Sequence, residues 1–221
     1  MKKYLIIDFD STIIKTETLE ELAEEALRKN ENKGNILKEI SHITDLGMEG
    51  KISFSESLER RLKMIELDRD ILDRVKDELS GKISDSILEN DHFFRKNAGM
   101  IHIISSGFRE LILPVAEKLG ILAENISAND FVSDGSGRII GVDKENPMSG
   151  DGGKINSLRD LDLDGKIIMV GDGWTDYETK DSGAADLFIA YTENVRRDNV
   201  CEKADYVAKN FDEVIKFFNS Y

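Results

Sequence analysis

The sequence predicts an α/β fold: a doubly wound parallel sheet with helices on both faces and a small all-helical domain inserted after the first strand. Three observations predict it. Apolar runs at residues 3–9, 100–105 and 166–170 read as strands buried on both faces rather than as alternating ones. Helical patterns lie between and after them, the order of a parallel sheet with crossover helices. Residues 15–84, between the first strand and the second, carry helical spacing and no strand pattern.

Taken in order, the first strand is rich in isoleucine and ends abruptly in acidic and hydroxyl residues from Asp8 onward. In the insertion Leu19, Leu22, Ala23, Ala26 and Leu27 recur at helical spacing, as do Leu58, Leu62 and Ile65, then Ile71, Leu72, Val75 and Leu79. Ser53-Phe54-Ser55-Glu56 has the form of a capping box opening the middle helix. The second strand leads through Ser105-Ser106-Gly107 into a helix at 109–119. Residues 130–143 alternate apolar and polar around Asp134-Gly135-Ser136-Gly137, which predicts a β-hairpin. The third strand runs directly into Gly171-Asp172-Gly173, and weaker strands at 187–190 and 206–207 precede a last helix at 213–218. The expected division is an α/β core at 1–14 and 85–221 and a helical cap at 15–84.

Composition narrows the function. A chain of 221 residues can bury one large core, or a core plus a small accessory domain. Its net charge of −14 argues against nucleic-acid and membrane partners, which need a basic face. A small anionic substrate stays open, because a local cation can dominate a site. The one cysteine, Cys201, excludes an intrachain disulfide, and it reads as a packing residue. The apolar run Tyr4 to Ile7 is too short for a signal-peptide core, so a cytoplasmic location is expected. His42, His92 and His102 lie apart with no ligand spacing, and Glu20-Glu21 and Glu24-Glu25 read as a solvated helix face.

The polar residues that matter each fall at a predicted strand end or nearby, where open parallel sheets bind ligands. Asp8-Phe9-Asp10-Ser11-Thr12 sets two carboxylates one residue apart. Ser105-Ser106-Gly107 is a hydroxyl leading through a turn into a helix N-terminus, which attracts anions. Gly171-Asp172-Gly173-Trp174-Thr175-Asp176 is a second acidic pair, with Lys154 upstream in the glycine-rich stretch 149–154. Each piece alone also fits an ordinary turn; the set in this order is what points to a site. Clustered carboxylates without histidine or cysteine suit a hard ion such as Mg²⁺. One carboxylate can attack a phosphate ester and split its very slow hydrolysis into two steps, while the other moves protons.

These four segments resemble the four motifs of the haloacid dehalogenase superfamily, with its Rossmann-like core, and the resemblance covers essentially the whole chain. It implies Asp8 as nucleophile, Asp10 as general acid and base, and Mg²⁺ held by the Asp8 and Asp172 carboxylates and the Asp10 backbone carbonyl. Ser105 and Lys154 would clamp the phosphoryl oxygens, and Asp176 would support the metal or Lys154. Members with an acid two residues after the nucleophile act on phosphate esters, which favours a phosphatase over a dehalogenase.

Within the superfamily the sequence is most similar to phosphoserine phosphatases, through Asp8 to Glu17, Glu21-Leu22-Ala23, Met48 to Phe54, Ser57-Leu58 and Arg60-Arg61. The resemblance implies that Glu17 receives the substrate ammonium, that Arg61 pairs with its carboxylate, and that Met48 and Phe54 line the closing surface. Ser106, Gly107 and Thr175 complete the expected substrate contacts. Phe54 and Arg61 are seven residues apart, two helical turns, so both can face one site. The bland readings stay open: Glu17 as a first-turn acid, Arg61 as a solvated partner of Glu56 or Glu59, and Phe54 and Met48 as cap core.

Four positions depart from that family's usual pattern: Ser106 for glycine, the bulky Trp174 and Tyr177, and Ile155 after Lys154. The expected partner is a small phosphate ester, with the chain a monomer or homodimer. The alternatives are another small phosphate ester, transfer of the phosphoryl group to an alcohol such as homoserine, a phospho-accepting signalling domain, or an inactive scaffold. A signalling domain would be about half this length and would give Asp10 no purpose.

Overall fold

The first apolar run forms β1 (Lys3–Ile7), and the chain then makes a wide loop at Phe9–Ile13 before leaving the sheet. The structure, a computed structural model, describes residues 2–221. The insertion holds α1 (Thr18–Ala26), α2 (Lys33–Met48), α3 (Phe54–Leu62), a two-residue strand β2 (Leu67–Asp68) and α4 (Arg69–Leu79). Two short helices follow, α5 (Asp85–Glu89) and α6 (Asp91–Lys96), then β3 (Ile101–Phe108) and α7 (Arg109–Leu119). Next come β4 (Ile126–Asn129), the hairpin strands β5 (Phe131–Ser133) and β6 (Arg138–Val142), and α8 (Gly153–Asp160). The chain finishes through β7 (Lys166–Gly171), α9 (Trp174–Asp181), β8 (Leu187–Tyr191), α10 (Asp198–Cys201), β9 (Tyr206–Ala208) and α11 (Phe211–Ser220).

The main sheet has the order β4-β3-β1-β7-β8-β9, and every pair in it is parallel. The chain therefore starts at the centre, winds outward to β4, then returns to β7 and winds the other way. That reversal places a crevice between the ends of β1 and β7, where doubly wound sheets bind ligands. Alternation sorts the buried strands into two cores: Leu5, Ile7, Ile103, Ile168 and Val170 face one side, and Tyr4, Ile6, Ile104, Met169 and Phe188 the other. The first core runs on without a break into Leu22, Leu58, Leu72 and Leu79 of the insertion.

Where the insertion leaves and re-enters, the two crossings lie side by side. Lys15 N donates to Lys82 O at 2.8 Å, and Ser84 N to Ile13 O at 2.9 Å. The far side of the insertion also rests on the core, with Ser55 N donating to Asp151 Oδ1 at 2.9 Å and Asn199 Nδ2 to Glu49 O at 3.0 Å. At the end of α2, Gly50 sits at φ +71, where a side chain is disfavoured. A Cβ there would come within 2.6 Å of the Trp174 indole.

The expected strands and the 109–119 helix are present, and the 130–143 hairpin forms, with Phe131 paired to Val142. Three elements go beyond the sequence pattern. β2 interrupts the helical insertion and pairs antiparallel with β6 through Leu67↔Ile139, extending the hairpin to three strands. α2 is helical although only Ile40, Ile43 and Thr44 of its residues are buried, so its apolar stripe is too sparse to show periodicity. β4 reads Ile-Ser-Ala-Asn, which carries no strand signature without its partner β3. No helix among the described residues is long and apolar enough to cross a membrane.

Candidate active site

The site forms at the reversal of the sheet. Asp8 continues the β1 ladder, its N–H donating to Val170 O at 2.9 Å, so its side chain emerges between β1 and β7. The loop that follows turns Asp10 back over it. Ser11 takes a left-handed conformation at φ +52, and its N–H donates to Thr16 O at 3.0 Å. Asp10 then accepts from Thr18 N at 2.9 Å and from Thr18 Oγ1 at 3.1 Å, bonding the first turn of α1. From β3 come Ser105, whose Oγ accepts from Gly107 N at 3.0 Å, and Gly107 itself. A Cβ on Gly107 would lie 2.9 Å from Asp10 Oδ2 and 3.2 Å from Ser105 Oγ, so glycine is what lets these groups converge.

Beneath this mouth is a buried ionic cluster. Asp8, Asp172 and Asp176 each offer a carboxylate oxygen, the three lying within 4.8 Å of one another. Lys154 Nζ is 2.9 Å from Asp8 Oδ1 and 2.6 Å from Asp176 Oδ1. Asp176 also accepts from Gly173 N at 3.0 Å, so both its oxygens are engaged. Asp172 accepts from Arg197 at 2.6 Å and from Thr12 Oγ1 at 3.3 Å. Burial, then Glu17 and Asp8, pushes the Asp10 carboxyl well above the usual range. Burial raises Asp172 as well, against the pull of Arg197, and burial with Asp8 pushes Asp176 up to about 7 despite Lys154. Burial alone would lower Lys154, but Asp176 and Asp8 outweigh it and hold the ammonium firmly charged.

The cluster is thus short of positive charge, and it fits a divalent metal. Asp8 Oδ1 is buried and, although near Lys154, accepts no aligned hydrogen bond, which leaves lone-pair capacity for an ion. The donors are all oxygen, the preference of a hard cation. The Asp10 carboxylate stands outside the triad, turned to Thr18.

A cleft above the cluster is lined by Asp8, Asp10, Ser105, Gly107 and Lys154 on the core side. Glu17, Met48, Phe54 and Arg61 line it from the insertion, and Ser106 and Thr175 also line it. Every residue expected at the substrate side is therefore in one place. Arg61 is 7% exposed, its Nε donating to Ser57 O and a terminal nitrogen to Thr44 Oγ1, both at 3.2 Å. Burial lowers its pKa and Glu17, Asp10 and Glu20 raise it. The solvated partners of Glu56 and Glu59 are instead Arg60 and Lys63, so Arg61 is free to face the cleft. Glu17 occupies the N-cap position of α1 without a capping bond; it accepts from Ser11 Oγ at 2.6 Å. Trp174 does not fill the cleft, packing against Gly50 and edge-on to Tyr177 instead. His102 packs edge-on to Tyr4.

Sequence reasoning missed four polar residues here: Thr12, Thr18, Asn194 and Arg197. Each hydroxyl, amide or cation meets a carboxylate or a carbonyl at the crossing into the insertion by tertiary contact, and no spacing rule connects them. The Arg196-Arg197 pair in an acidic chain was the one available hint.

Comparison with known proteins gives a consistent result. The family of haloacid dehalogenase-like hydrolases matches residues 5–179. The chain is 34% identical to the chloroplastic phosphoserine phosphatase of Arabidopsis thaliana over 94% of its own length and 69% of that protein. It is 32% identical to the phosphoserine phosphatase of Homo sapiens, over 94% of this chain and 89% of the human one. Among solved structures, a phosphoserine phosphohydrolase-like protein from Francisella tularensis subsp. tularensis SCHU S4 superposes with a TM-score of 0.89 at 36% identity, covering 98% of this chain and 99% of that one.

Proposed function

The chain belongs to the haloacid dehalogenase-like hydrolase family, and on that premise we propose that it hydrolyses O-phosphoserine to serine and phosphate through an aspartyl-phosphate on Asp8. One observation carries the substrate reading. A single cleft is lined both by a buried carboxylate–lysine cluster and by a buried arginine with a glutamate within electrostatic reach. O-phosphoserine presents the complement: a phosphate, a carboxylate for the Arg61 fork and an ammonium for Glu17.

In the first step Asp8 attacks phosphorus and the serine oxygen leaves with the proton of Asp10. The raised pKa of Asp10, a result of burial and of the nearby Glu17 and Asp8, suits it to carry that proton. In the second step Asp10, now ionised, takes a proton from water as the water attacks phosphorus, which frees Asp8 and phosphate. Lys154, fixed by Asp8 and Asp176, and Ser105 hold the phosphoryl oxygens in line. Mg²⁺ held by the Asp8 and Asp172 carboxylates and the Asp10 carbonyl would supply charge neutralisation to the phosphoryl group. Residues 15–84 act as a cap that excludes bulk water, since its α2 end and the start of α3 already meet the core at Trp174, Asn199 and Asp151. The single free cysteine is compatible with a cytoplasmic setting.

The test is phosphate release from a panel of phosphomonoesters with Mg²⁺, with the alcohol product identified. Phosphoserine should lead the panel, Asp8→Asn should be inactive, and Arg61→Ala should lose mainly phosphoserine turnover. An active Asp8→Asn would end the mechanism. An Arg61→Ala variant indifferent to substrate would end the phosphoserine assignment, and a new ester in place of free phosphate would favour transfer to an acceptor alcohol.

A further inference from the structure

The loop between β8 and α10 touches three things at once. Near its start Asn194 Nδ2 lies 2.7 Å from Ser84 Oγ and within 3.4 Å of the carbonyls of Ser11, Thr12 and Ile14, the crossings between core and insertion. Beyond its end Asn199 holds the Glu49 carbonyl at the lip of the insertion. Between them Arg197 is buried, one terminal nitrogen 2.6 Å from Asp172 Oδ2 and the other 3.7 Å from Asp45 Oδ1 on α2. The two arms differ in setting: the Asp172 side chain is 1% exposed and the Asp45 side chain 61%.

From this we infer that Arg197 is a positioning residue that ties docking of the insertion to occupancy of the Asp172 site. The inference rests on Asp172 being an ion ligand. A guanidinium is a planar fork that can address two carboxylates at once, and a buried cation must keep a partner. A divalent ion at Asp172 competes with Arg197 for the same negative charge. The fork's pull on Asp45 then becomes the stronger of its two attachments, and the insertion is held more firmly. Linkage makes the effect reciprocal: Asp45, which takes no part in the carboxylate triad, must alter ion affinity by the factor by which the ion alters docking.

The experiment uses Trp174, the one tryptophan, which lies against Gly50 of the insertion. Mg²⁺ binding is measured by calorimetry and by Trp174 emission in wild type, Asp45→Asn, Arg197→Lys and the double variant. Asp45→Asn is expected to weaken the Mg²⁺ midpoint by about two- to fivefold, the size of an exposed ion pair. In the Arg197→Lys background it should do nothing, because one ammonium on Asp172 cannot also span to Asp45. Equal shifts in both backgrounds, or none in wild type, would overturn the inference. Should Arg197→Lys fail to fold, acrylamide quenching of Trp174 decides. Mg²⁺ should protect the indole in wild type and protect it less in Asp45→Asn; equal protection overturns the inference. Absence of Mg²⁺ binding to wild type would remove the ion reading itself, whereas binding without the Asp45 response removes only the role of Arg197.

Discussion

Replacing Gly50 by alanine separates two effects that the structure places on one residue. The positive φ is imposed by the end of α2, where Lys51 N donates to Leu46 O at 2.8 Å and Gly50 N to Gly47 O at 3.0 Å. An alanine there carries roughly 1 kcal/mol of left-handed strain whether or not the insertion is docked. For a chain of this size that lowers Tm by about 2–4 °C. The added Cβ would also meet the Trp174 indole at 2.6–2.8 Å, a contact that exists only in the docked arrangement. Overpacking of that kind costs ~1–3 kcal/mol. It acts on the docked-to-undocked ratio, so kcat/KM for O-phosphoserine should fall by about 5- to 150-fold, since each 1.4 kcal/mol is tenfold. Acrylamide quenching of Trp174 should rise in parallel. Gly50→Asn, which tolerates positive φ, should recover Tm but not kcat/KM. Unchanged quenching and kcat/KM in Gly50→Ala would refute the docking argument, and a Tm as low in Gly50→Asn as in Gly50→Ala would refute the strain argument.

Other outcomes follow from the ionic cluster. Without metal, Asp10, Asp172 and Asp176 have pKa values raised above their unfolded ones, so the folded state binds more protons. Their contribution to stability is fully present below about pH 4, the unfolded carboxylate range, and is lost as pH rises through the folded values, about 7 for Asp176. Thermal melts of chelator-treated protein should therefore lose this contribution between those limits, and saturating Mg²⁺ should flatten the trend; a metal-independent profile would contradict it. Asp10→Asn should cut kcat by about 10²–10⁴, read by steady-state phosphate release, while Mg²⁺ affinity measured by calorimetry stays near wild type. Thr18→Val removes a hydrogen bond that favours ionised Asp10, so the basic limb of kcat/KM should move to higher pH; a downward shift would argue against Asp10 as the acid.

Much of the fold was readable because the chemistry and the strands share residues. β1 and β7 are unbroken apolar runs that stop at Asp8 and just before Asp172, so the same stretch announces a buried strand and a polar end. Arg61 and Phe54 were singled out by the resemblance to phosphoserine phosphatases, their spacing of two helical turns lets them share a face, and the structure puts both on the cleft. α2 was not readable, because it lies on the insertion with three buried residues and the rest half-buried or exposed. Arg197 was not, because its meaning comes from Asp172, 25 positions earlier, and from Asp45 on a different helix. Asn194 reaches a carbonyl 183 positions away. Local pattern reports what a segment does with its own neighbours, and a residue that acts as a bridge has no such neighbours.

The position of β1 at the middle of the sheet has a consequence for how the chain is made. Its two neighbours are Ile101–Phe108 and Lys166–Gly171, so of the six strands in this sheet the one made before the others is the one that waits longest for its second partner. At roughly 5–20 residues per second, ~8–30 s separates the two during synthesis. Through that interval an apolar run with unsatisfied N–H and C=O groups is open to pairing with any other extended chain. Yield of active protein should accordingly depend on translation speed upstream of residue 166 and on chaperones that hold nascent chains, more than on the stability of the finished molecule.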